Sequence, residues 1–68
     1  MKATHDDVRA GDVVRCKKRG DRKFVVRDVG GGRIILAIGE GEHAALLRLS
    51  NERFDEDGFT VVQRTRWE

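Results

Sequence analysis

The sequence predicts an all-β domain, a small five-stranded barrel with a short helical turn before its last strand. Three observations point there. The chain has 68 residues, enough for one domain around one compact core. It has no proline, and its eight glycines do the punctuation. Between those marks lie short segments rich in Val, Ile or Phe, which have the size and composition of strands. Several short strands at this spacing favour a sandwich or a barrel over helices.

Residues 1–10 read as a loosely held N-terminal segment, and residues 11–67 as the single folded domain. The first strand is Val13–Lys17 and the second Lys23–Val29, joined by a tip at Lys18–Arg22. Opposing Cys16 to Phe24 and Val14 to Val26 gathers four apolar side chains on one face. The other face then carries Val13, Arg15, Lys17, Lys23, Val25 and Arg27. Gly20-Asp21 suits a two-residue turn that would shift this pairing, but facial segregation is the stronger constraint. Arg33–Ile38 is apolar on both faces and reads as the central, most buried strand. Ala44–Leu49 reads as a strand by its context, with a helix as the alternative because its composition is helix-forming. Ser50–Phe54 reads as a helical turn capped by Ser50, with Phe54 closing the core. Asp57-Gly58 turns the chain into the last strand, Phe59–Thr65.

Hydrophobic and charged residues each make up 38% of the chain, a balance that allows one small core and argues against full disorder. The longest apolar run, Ile34–Ile38, is far too short for a membrane helix. No apolar stretch follows His5, Asp6 and Asp7, so no secretory signal is expected. A single cysteine makes no internal disulfide, which points to a reducing compartment or to indifference, and a cytoplasmic setting is expected. The net charge is +2, unevenly spread. Residues 1–38 hold ten Lys/Arg against five Asp/Glu, whereas residues 39–63 hold two against six. Such a dipolar surface steers a charged partner, or it simply keeps a small domain soluble.

Gly11-Asp12-Val13-Val14-Arg15, the basic hairpin, Phe24-Val25-Val26 and the helical turn before the last strand together resemble an SH3-like small barrel. The opening pentapeptide is similar to the start of KOW-type and related prokaryotic or phage small-barrel domains. The likeness covers about residues 11–63, and it lacks the compact Gly-rich second half of the KOW motif. It implies a binding module for nucleic acid or protein rather than an enzyme. A short, charge-rich chain is also similar in style to small phage-encoded or bacterial accessory proteins.

Catalytic chemistry finds little support. Cys16 with His5 or His43 would be the nucleophile and base, but Cys16 falls on the core face, where a thiol is inert. Asp55, Glu56 and Asp57 sit in a turn without an evident cleft. One cysteine and two widely spaced histidines make no zinc set. Asp55-Glu56-Asp57-Gly58 departs from a calcium loop in its early glycine and missing bidentate Glu. Gly30–Arg33 and Gly39–Gly41 lack the Gly-Lys-Ser/Thr end of a phosphate loop. Arg19-Gly20-Asp21 matches an integrin-binding tripeptide, a three-residue match that chance supplies. No cofactor is expected.

The basic hairpin is the leading candidate site. Arg15, Lys17, Lys18, Arg19, Arg22, Lys23 and Arg27 would contact nucleic-acid phosphates, and Trp67 would stack on a base or lid the barrel. The alternative is a protein-interaction module, an adaptor or small inhibitor. It would dock through the acidic residues Glu52, Asp55, Glu56 and Asp57 or through a sheet edge. The modest net charge keeps that alternative open. A homodimer covering Val25 or Leu46 is a third.

Overall fold

The computed structural model describes residues 2–39 and 44–64. Five strands run β1 (Val13–Cys16), β2 (Arg22–Gly30), β3 (Arg33–Ile38), β4 (Ala45–Ser50) and β5 (Thr60–Gln63), with α1 (Asn51–Asp57) between β4 and β5. They form one antiparallel sheet in the order β4-β3-β2-β1-β5. Among the described residues this ladder does not close. No helix among the described residues is long and apolar enough to cross a membrane.

Burial set the faces of the first hairpin as expected but not its register. Val14, Cys16, Phe24 and Val26 all point into the core. The observed partners are Val14 with Phe24 and Cys16 with Arg22, a slip of two residues from the expected pairing. A slip of two returns every side chain to the same face, so alternation cannot detect it. The connection decides it instead. Lys17–Arg19 form a 3₁₀ turn, and Gly20 and Asp21 then reverse the chain at positive φ (78° and 56°). The tip is therefore residues 17–21, and Lys17 leaves the strand.

Two further strand expectations change. β3 is an interior strand with no exposed residue, as expected of the most buried one, but the middle of the order is β2, because β1 pairs on both sides and the chain's first and last strands are neighbours. Arg27 is the extra residue of a bulge, since Val26 opposes Leu36 while Asp28 opposes Ile35. The bulge lets both Val26 and Val29 reach the core, three positions apart. Gly31 and Gly32 connect β2 to β3 with φ of 62° and 77°, the two left-handed positions a type I′ turn demands. β4 is a strand, paired with β3 over six residues, and the helical alternative falls.

The helical turn is longer than expected. Ser50 Oγ accepts from the Arg53 N–H at 3.1 Å, and α1 runs on to Asp57 before Gly58 ends it in the left-handed conformation. Phe54 is fully buried and stacks on Phe59 at 4.4 Å, and Phe59 meets the edge of Phe24 at 5.8 Å. These three rings tie the helix to both the first hairpin and the last strand.

The N-terminal segment, expected to be loosely held, contributes Ala3 and Val8 to the core. Ala3 N–H donates to the Phe59 carbonyl at 2.7 Å. Asp12, only 1% exposed, accepts from the Arg9 N–H at 3.0 Å and from Arg64 Nη1 at 3.2 Å. Arg64 also donates to the Asp7 carbonyl. These ties join distant parts of the chain, which composition alone does not reveal.

Candidate nucleic-acid interface

Alternation along β1 and β2 places Arg15 and Lys23 on the outer face, directly opposite one another. Like charges in that position cost stability. Asp21, at the tip, offsets part of the cost, with Oδ1 at 3.2 Å from Arg15 Nε. Thr60 of β5 lies on the other side of Arg15. Lys17 is exposed on the 3₁₀ turn and Arg27 at the bulge, whereas Arg22, opposite Cys16 where β2 begins, is exposed on the inner side of the sheet. These five cations share one hairpin and the strand that carries it on.

The remaining two cations of the expected set turn away. Arg19 Nε and Nη2 both lie 2.8 Å from Asp57 Oδ2. Lys18 Nζ is 3.5 Å from the Glu56 carbonyl. The basic tip is thus docked on the C-terminal end of α1, where cations also meet the helix dipole favourably. Trp67 and His43 lie outside the described residues.

Two of the four acidic side chains, Asp55 and Asp57, are occupied. Asp57 is taken by Arg19 and lies 3.7 Å from Arg53. Asp55 accepts from the His5 N–H at 2.8 Å, and its other oxygen lies 2.8 Å from His5 Nδ1. The side-chain hydrogen bond to Asp55 raises the His5 pKa above its ordinary value. The hydrogen bond from the His5 backbone N–H, reinforced by the imidazole, lowers that of Asp55. Glu52 and Glu56 remain exposed. The two candidate sites therefore face each other across Arg19–Asp57, and do not form opposite poles.

Beside the cation pair, the outer face carries an apolar row. Val13 opposes Val25, Val25 opposes Ala37, and Ala37 opposes Leu46. Leu46, on the edge strand β4, is 66% exposed. Cys16 is buried, its Sγ 3.4 Å from the Asp57 carbonyl, as a core thiol should be. Among the described residues no group of three His, Cys, Asp or Glu side chains is placed to hold a metal ion.

Sequence reasoning missed Lys2, Thr60, Arg64 and the His5–Asp55 contact. Lys2 folds over Gly58, where a Cβ would stand 3.3 Å from its Cε. Nothing in a short polar N-terminal stretch signals that placement. No family model matches the chain, and neither a curated protein nor a solved structure matches it.

Proposed function

We propose that the protein is a non-enzymatic binding module that grips nucleic-acid backbone through the outer face of its basic hairpin. The observation that carries this is the Arg15–Lys23 pair, two like charges held opposite each other and joined by exposed Lys17 and Arg27. Such an arrangement costs folding stability and is relieved when a phosphate lies between the cations. Occupation of Asp55 and Asp57 within the chain weighs against the acidic segment as the docking site. The finer fold is an SH3-like, KOW-related small barrel, favoured by the pairing of the first and last strands and by the helix that precedes β5. Cross-strand amide contacts linking β4 to β5 would establish closure. A reducing, cytoplasmic setting accords with the single buried thiol.

The test is equilibrium binding of labelled single-stranded and duplex oligonucleotides over a salt series. Four cations on a single strand give a log–log slope of about −2 to −3. Charge reversal at Lys17 and Lys23 together should lower affinity and flatten that slope. Unchanged affinity in this double variant would exclude the interface.

The apolar row ending at Leu46 favours a second function, docking of a protein partner or a second copy on the β4 edge. Leu46→Asp should then abolish capture of that partner or dissociate the dimer in sedimentation, and leave oligonucleotide binding alone.

A further inference from the structure

We propose that a cleft beside the basic hairpin binds a phosphate monoester, and that its occupant is the terminal phosphate of a nucleic-acid strand. The identity of the occupant rests on the function proposed above. The cleft, about 340 Å³, opens between the N-terminal segment, the hairpin tip and the turn from α1 to β5. Four cations line it, Lys2, Arg15, Lys17 and Lys18, against the single lining carboxylate of Asp57; Arg15 also meets Asp21 at 3.2 Å, and Lys18 Nζ lies 3.5 Å from the Glu56 carbonyl. The Asp57 carboxylate is only 10% exposed and is met from outside the cleft, by Arg19 at 2.8 Å on Oδ2 and Arg53 at 3.7 Å on Oδ1. Its charge is therefore compensated before any ligand arrives. The neighbouring cleft on the helix side mixes signs, with Glu56 and Asp57 among Lys18, Arg19 and Arg53.

Two further features shape the cleft for an oxyanion. Gly58 both ends α1 and leaves room for the Lys2 side chain, whose Nζ would stand 3.8 Å from a Cβ added there. Thr60, which also lines the cleft, brings a hydroxyl donor. Phosphate monoesters carry about −1.5 to −2 charges near neutral pH, against one for a backbone diester, so an excess of cations in the lining favours the monoester. Arg15 belongs both to this cleft and to the Arg15–Lys23 pair. A strand anchored by its end would leave the cleft along the outer face, which favours a nucleic acid over a phosphopeptide.

One oligonucleotide is measured in three forms, with a 5′ phosphate, with a 3′ phosphate and with neither, and inorganic phosphate is titrated separately while amide NMR is recorded. A phosphorylated form should bind about tenfold more tightly than the bare strand, the effect of one added charge-assisted hydrogen bond. Lys2→Gln and Thr60→Val should each remove that preference and leave binding of the bare strand unchanged. Lys23→Gln should weaken all three forms alike. Inorganic phosphate should shift the Gly58 and Thr60 amides saturably. Equal affinity for all three forms overturns the strand-end assignment while the hairpin interface stands; with saturable phosphate shifts, it leaves the cleft to another phosphomonoester such as a phosphopeptide. Absence of binding by any oligonucleotide defeats the proposed function, and the phosphate titration then judges the cleft by itself. No saturable shift at Gly58 or Thr60 overturns the cleft.

Discussion

On the inner face of the β1–β2 hairpin, Val14, Cys16, Phe24 and Val26 are at most 3% exposed. On the outer face, one residue along each strand, Arg15 opposes Lys23 beside the apolar pair Val13 and Val25. The same two strands make both faces, so backbone geometry cannot account for the difference. Removal from water dictates the residue types inside, since only apolar side chains recover the cost of ordering the chain. Outside, that constraint is absent, and a like-charge pair persists although it opposes folding. The inner face therefore holds the fold, and the outer face is where binding chemistry has room.

Substitutions should separate the faces sharply. Phe24→Ala removes a ring that packs against Phe59, and should lower stability by about 3–5 kcal/mol in urea or thermal unfolding. In a domain this small that loss approaches the whole margin. A loss under about 1 kcal/mol would mean the inner face is not the organising core. Asp12→Asn removes the charge that meets Arg64 and weakens the acceptor for the Arg9 N–H, so about 1–3 kcal/mol should be lost in the same assay. Lys23→Thr, on the outer face, should move the other way. Relief of the Arg15–Lys23 repulsion should stabilise by about 0.2–1 kcal/mol while oligonucleotide affinity falls. A variant less stable and equally tight in binding would contradict the division between the faces.

The smallest expected effect is a pH dependence at the His5–Asp55 contact. The raised His5 pKa gives a contribution fully present below its ordinary value of 6.5, lost as pH climbs through the raised value. The lowered Asp55 pKa gives one fully present above 3.8, lost as pH falls through the lowered value. Both act together between these ordinary values. Unfolding midpoints of the wild type and His5→Gln should therefore differ most near pH 5 and converge toward alkaline pH. A constant difference across that range would remove the ionic part of the contact.

Alternation made the hairpin faces legible from Val14, Cys16, Phe24 and Val26, and the Ser50 cap marked where α1 starts. Register was not legible, because slips of two residues preserve the faces and the deciding 3₁₀ turn at Lys17–Arg19 has no apolar signature. The bulge at Arg27 leaves no mark either, since its side chain is exposed on any alignment. Glu52–Asp57 looked like an available acidic surface because its partners are remote in sequence. His5 reaches Asp55 across 50 positions and Arg19 reaches Asp57 across 38. Charge seen as a linear pattern cannot tell which groups folding will neutralise. Lys17, Arg22, Lys23 and Arg27 were legible as exposed cations because nothing in the core claims them.

The claim that binding resides on the outer face of the hairpin is tested most directly by an amide NMR titration. Mixed DNA and RNA oligonucleotides would be added at low and at physiological salt. The account predicts shifts at Arg15, Lys17, Lys23 and Arg27 that shrink as salt rises. No shifts at low salt, or shifts gathered on β4 around Leu46, would contradict it.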